Sequence, residues 1–211
     1  MSDAPSGGAR KKGRPTAGER EERRDQILDA AVGLFVAKGY GQVTINEIAA
    51  ASRVTKRTIY TYFGDKAEVF TAAIERFRGR ALADLESDTE SFEDVTTRMV
   101  GVLYSDDAVG LHRLMIGESA QFPELAARFY ASGPQGYIDL LAARLRDQAT
   151  ERGLSPAGDA GTVAESLFGL LLGEPHRRRL LGLTAAPTPA AARIQARGAL
   201  TALGIVGSVK S

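Results

Sequence analysis

Between Thr55 and Gly64 the chain concentrates groups that can donate hydrogen bonds: Lys56, Arg57, Thr58, Tyr60, Thr61 and Tyr62, with only Ile59 and Phe63 purely apolar. A helix so poor in apolar residues is weak core material but suits a groove. The B-DNA major groove admits an α-helix, and residues near its N-terminal end reach base edges. Arg and Lys donate to guanine O6 and N7, while Thr and Tyr hydroxyls donate to phosphate oxygens. Residue type and spacing therefore make Lys56, Arg57 and Thr61 candidate base readers. Thr44, Thr55, Thr58, Tyr60, Tyr62 and Lys66 become candidate contacts to the phosphate backbone. The competing reading is an ordinary helical hairpin with a solvated basic face.

The elements that must position these side chains can be read on either side. Thr44 and Glu47 form a T-x-x-E capping box, and Ile45, Ile48 and Ala49 follow at helical spacing. Ser52, Arg53 and Val54 make a short break. Thr55 caps the second helix, Val54 and Ile59 are placed as a hydrophobic staple, and Gly64 stops it. This is a helix-turn-helix pattern. A preceding helix over about Glu19–Lys38 carries Ile27, Ala31, Leu34 and Phe35 on one face, with Gly39 as its stop and Tyr40 as a core anchor. Asp65 caps a following helix with Val69, Phe70, Ala73, Ile74 and Phe77 inward. Lys66 sits in its first turn, where a positive charge opposes the helix dipole and a phosphate would relieve the conflict.

Thr44, Ile48, Ala49, Val54, Thr58, Ile59, Tyr60, Tyr62, Phe63 and Lys66 fall in the frame T-x-x-x-I-A…V-x-x-x-T-I-Y-x-Y-F-x-x-K. That pattern resembles the DNA-binding segment of the TetR family of bacterial transcriptional regulators, over roughly residues 20 to 77. Arg57 departs from the small residue common there in the family. Arg113–Pro134 and Leu167–Gly182 resemble the AefR-like type of C-terminal domain within the same family. The resemblance implies a contact between Lys66 and the DNA backbone, and an inducer pocket in the second domain.

Composition narrows the class. With 211 residues, 27 Lys and Arg against 26 Asp and Glu, and no Cys, the chain is globular in balance and has neither a disulfide framework nor a thiolate metal site. It contains no apolar run long enough to span a membrane and no secretory leader pattern, so cytoplasmic location is expected. Net charge announces no polyanion partner; its distribution does. Residues 1–18 read as a disordered arm carrying Arg10, Lys11, Lys12 and Arg14. The Lys-Gly-Arg-Pro within it is similar to an AT-hook core, suited to a minor groove beside a helix-turn-helix. A solubilising tail is the plainer alternative.

The expected organisation is all-α: a helix-turn-helix domain over 19–66, a connecting helix over 67–86, and a ligand-binding and dimerisation domain over 87–206. In the last, helices are expected over about Phe92–Tyr104 and Ala108–Gln121, then from Pro123 to a kink or break at Gly133–Pro134, resuming from about Gln135 to Arg152. The final two, about Asp159–Leu183 and Pro189–Ile205, are apolar on more than one face or rich in Ala. Val163, Leu167, Leu170, Leu171, Ala196, Ala199, Leu200 and Leu203 are therefore expected to meet their twofold mates in a homodimer. A monomer with an internal hairpin is the alternative.

Tyr104, His112, Met115, Phe122, Phe129, Tyr130, Tyr137 and Phe168 are candidates for a largely apolar effector pocket. Plain core packing competes at each position. No metal or other cofactor is expected, since His112 and His176 lack paired ligand spacing, and no catalytic triad, phosphate loop or nucleotide fingerprint occurs. The sequence thus leads to a palindrome-binding homodimeric repressor released by a small molecule. A DNA-binding regulator without an effector stays open, as does a helical carrier or enzyme.

Overall fold

A computed structural model describes residues 16–82, 91–151 and 159–205. The basic arm at 10–14, most of the expected domain boundary at 87–91, and the loop at 153–158 lie outside the described residues. Every regular element among those described is helical.

The helix-turn-helix domain is built by its caps. Thr16 accepts from the Glu19 amide and closes a capping box, so helix α1 runs Ala17–Lys38, slightly earlier than expected, and takes residues 16–18 from the predicted arm. Thr44 and Glu47 close the second box, giving α2 over Ile45–Ala51. Thr55 accepts from the Thr58 amide at 3.1 Å and opens α3, Lys56–Phe63. Asp65 accepts from the Glu68 amide at 2.8 Å ahead of α4, Lys66–Leu82. These helices share one core in which Ile27, Leu28, Phe35, Ile48, Ile59 and Phe70 are fully enclosed. Phe35 and Tyr40 pack edge-on against Phe70, at 5.6 and 5.7 Å between centroids. Arg76 of α4 donates to the Asp25 carbonyl of α1 at 2.9 Å, which fixes the angle between the two helices.

That core does not stop at the domain boundary. It continues through α4 into Leu111 and Met115 of α6 (Asp106–Glu118) and Leu125 of α7 (Pro123–Tyr130). A Cβ at Gly110 would lie 2.8 Å from the Val36 methyls, so α6 approaches α1 more closely than any side chain would allow.

A second core joins α5 (Phe92–Leu103), α8 (Gly136–Glu151), α9 (Ala160–Leu180) and α10 (Pro189–Ala202) through Val95, Met99, Leu141, Leu167, Leu171 and Leu200. Two local irregularities interrupt the helices. At Gly133–Pro134, where a kink or break is expected, Ala131–Gln135 form a π turn between α7 and α8. The wider turn accommodates a residue that lacks an N–H and would clash in an α-helix. In α9 the non-helical residue is Gly173, at φ 49 and ψ −154. Pro175 then falls in the first turn of the segment that follows, where proline is tolerated.

The residues of the expected dimerisation stripe turn largely inward within one chain. Leu167, Leu171, Ala196, Ala199 and Leu200 are buried in the chain's own second core, and Val163 and Leu203 are half-buried. Both helices turn those stripes inward onto α5 and α8. Of the predicted set, only Leu170 is exposed, at 44%.

Candidate nucleic-acid interface and helical-domain cavity

Helix α3 buries only Ile59 and leaves Thr55, Lys56, Arg57, Tyr60 and Thr61 in solvent. Thr58, Tyr62 and Phe63 are half-buried, and the Arg24 guanidinium lies 5.6 Å from the Phe63 ring centroid. Arg57 therefore projects freely beside Lys56 at the N-terminal end of the helix, where base edges are reached. Several hydroxyls are already engaged. Thr61 donates to the Arg57 carbonyl at 2.8 Å, and Thr44 donates to Glu47 at 2.9 Å. Their oxygens still accept, but donation to DNA requires each to rotate out of its present bond.

Lys66 is already engaged within the chain. Its Nζ donates to the carbonyls of Tyr40 and Val43, both at 2.8 Å, and lies 4.3 Å from the Tyr40 ring centroid. The ammonium thus clamps the α1–α2 connection, and two of its three protons are committed before any phosphate arrives. Burial lowers its pKa, while Glu118 and Glu47 pull it back up.

A concavity along this face combines α1, the turn and α3, and brings in Arg23, Gln26 and Arg53, none of which were singled out from the sequence. Arg53 has φ 55, a left-handed conformation unusual for a side-chain-bearing residue. Its position in the turn was readable; its strain and its direction were not.

In the helical domain, α4 to α9 enclose a cavity of about 50 Å³. His112, Phe129, Tyr137 and Phe168 line it as the sequence suggested, and no Asp, Glu, Lys or Arg among the described residues does. Four expected members lie elsewhere. Tyr104 sits behind the wall, its ring 5.1 Å from His176 and its hydroxyl donating to the Leu172 carbonyl at 2.5 Å. Met115 belongs to the first core. Phe122 packs on Tyr40 at 5.2 Å. Tyr130 follows Phe129 directly, so the helical rotation that points Phe129 inward leaves Tyr130 54% exposed.

Among the lining residues that the sequence did not suggest, His176 is the polar one. It meets His112 with ring centroids 5.4 Å apart, because α6 packs across α9. No chain spacing could announce that pair. Among the described residues no group of three or more His, Cys, Asp or Glu side chains could hold a metal.

A helix-turn-helix reader joined through a shared core to a larger helical domain with an apolar cavity defines a class of one-component transcription regulators. Residues 27–73 match the profile described as bacterial regulatory proteins of the tetR family, and residues 90–203 match the AefR-like transcriptional repressor C-terminal domain. The chain is 27% identical over 163 residues to the transcriptional regulator SrpR of Pseudomonas putida, covering 76% of each chain. It is 27% identical over 169 residues to the transcriptional repressor SCO4008 of Streptomyces coelicolor, covering 78% of this chain and 86% of that one. The flavonoid-responsive regulator FrrA superposes with a TM-score of 0.63 at 27% identity, over 87% of this chain and 95% of that one. The chain belongs to the TetR family of DNA-binding transcriptional regulators, which are not enzymes. No helix among the described residues is long and apolar enough to cross a membrane.

Proposed function

We propose that this protein is a cytoplasmic repressor that binds a palindromic operator as a homodimer and leaves it when a small, largely apolar effector occupies the helical-domain cavity. The observation that carries this reading is the sharing of elements: Ile74 and Phe77 of α4 and Leu111 of α6 line the cavity and also belong to the core of the DNA-binding domain. A change of cavity shape is thereby felt where α3 is held. The effector must bind the two conformers differently to shift their populations. SrpR, SCO4008 and FrrA are regulators of the same build, SCO4008 is a repressor, and FrrA answers a flavonoid.

In this reading Lys56 and Arg57 read bases, with Thr61 after rotation. Thr44, Thr55, Thr58, Tyr60, Tyr62 and the remaining proton of Lys66 position the backbone, and Arg53 joins them. The dimer forms through the outer faces of α9 and α10, where Leu170 and Ile194 are exposed. The test is selection of bound DNA from a random pool by the purified protein. A single palindromic motif is expected, its half-sites spaced for two recognition helices. An A·T-rich collection without a palindrome would instead assign the protein a broad footprint led by its arm.

A further inference from the structure

The cavity wall is apolar except at three places. The Tyr137 hydroxyl is enclosed, on a residue only 2% exposed, and has no hydrogen-bond partner among the described residues. A buried hydroxyl in that state is destabilising, and native proteins keep few of them without a use. His176 lies beside the Leu103 backbone. A neutral imidazole carries one N–H and offers its other nitrogen as an acceptor. His112 supplies a second imidazole in ring contact with the first and with Phe129. Burial holds His112 below its ordinary pKa, and burial followed by the nearby His112 brings His176 down to about 4. Both rings are therefore neutral at neutral pH.

No charged side chain among the described residues lines the cavity, although Arg78 and Arg179 act on Tyr137 and His176 from outside the lining. A permanently ionised ligand would find no counter-charge in the wall itself, and an imidazolium to meet it is opposed by burial. The cavity offers instead one hydroxyl lacking a partner, two neutral basic rings, and the faces of Phe77, Phe129 and Phe168. Aromatic rings favour another ring in offset or edge contact.

We propose that the cavity takes a neutral phenol, its ring among these phenylalanines, its hydroxyl donating to the His112–His176 pair and accepting from Tyr137. This assignment rests on the cavity being the effector site. The phenol O–H is a good donor for an imidazole nitrogen, and its oxygen supplies the acceptor that Tyr137 lacks. At about 50 Å³ the cavity has to widen for a ring, so a small monocyclic probe is the fair test.

Fluorine NMR titration of the full-length protein at neutral pH compares 4-fluorophenol, fluorobenzene and 4-fluorobenzoate. 4-Fluorophenol is expected to bind about tenfold more tightly than fluorobenzene, with 4-fluorobenzoate weakest. Tyr137→Phe and His112→Leu should each remove most of that margin, read as the ratio of 4-fluorophenol to fluorobenzene affinity within the same variant. Tyr137→Phe should also melt at or above the wild-type temperature, because it deletes a hydroxyl that has no partner. Equal binding of phenol and fluorobenzene, preference for the benzoate, or an unchanged margin in Tyr137→Phe overturns the phenol assignment and leaves the cavity as a ligand site. Binding of none of the three overturns the cavity reading itself, and the phenol with it.

Discussion

Glu118, the last residue of α6, accepts a hydrogen bond from the Gly41 amide at 3.3 Å, so a carboxylate of the second domain holds the α1–α2 connection of the first. The same side chain crowds Gly39, where an added Cβ would lie 2.5 Å from Oε1. Gly39 also has φ 88 and ψ 151, a backbone region that side-chain-bearing residues avoid. The connection is thus shaped by α6 from outside and by Lys66 from beneath.

Gly39→Ala should cost about 1–3 kcal/mol in chemical denaturation, part from backbone strain and part from the carboxylate. In a Glu118→Ala background the second part disappears. The double-mutant cycle should therefore show a coupling of at least about 0.5 kcal/mol. Strict additivity would mean that Glu118 swings clear and the interdomain contact carries no energy.

Arg53 and Arg57 separate stability from recognition. Arg53 holds φ 55 in the turn, which costs roughly 1 kcal/mol for a residue with a Cβ. Arg53→Gly should leave stability unchanged or raise it by up to about 1 kcal/mol, yet weaken operator binding and reduce the slope of log K against log salt by about one. Arg57→Ala should leave stability unaffected, cost about 1–3 kcal/mol in binding, and relax specificity at one base pair. Gel-shift titrations over a salt series and a panel of operator substitutions read both. A uniform loss across sequences for Arg57→Ala would reassign it to a phosphate.

The comparison of chain and fold has a physical pattern. Local signals were legible: Thr44 with Glu47, Thr55, Asp65 and Pro123 mark helix starts because a cap acts within one turn of its own residue. Direction across the fold was less so. Leu167 and Ala196 are apolar whether they face a neighbour in the same chain or one in a partner, and periodicity alone cannot tell which. Phe129 and Tyr130 are adjacent aromatics, and only the packing of α7 decides which enters the cavity. His112 and His176 were visible only as isolated histidines, since their meeting is a property of how α6 crosses α9.

The outer faces of α9 and α10 give the dimer its test. Leu170 is 44% exposed and Ile194 73% exposed, on helices whose inner faces are already filled. Leu170→Glu combined with Ile194→Glu places charge on that surface without opening a cavity in the second core. Sedimentation equilibrium at micromolar concentration should show a dimer for the wild type and a monomer for the double variant, with helical content retained. Operator affinity should fall with it, because half-site binding loses the effective concentration that a tethered partner supplies. A double variant that stays dimeric would move the interface to another face.

The buried imidazole pair predicts how stability follows pH. Burial first, and the nearby His112 second, depress the His176 pKa from 6.5 to about 4, against the adjacent Leu103 backbone, which favours the charged ring. Arg179, on the same helix, pushes the same way as His112, and His112 is itself lowered by burial. Below its unfolded value the unfolded chain takes up a proton at this position that the folded chain refuses. Stability is therefore fully present above about pH 6.5 and falls as the pH drops towards 4, by up to about 3 kcal/mol from His176. His176→Phe removes the titrating group and keeps a ring against Tyr104 and His112. Urea denaturation across that interval should show a clearly shallower pH dependence for the variant than for the wild type. Parallel profiles would mean that the His176 ring reaches solvent and titrates there as it does in the unfolded chain.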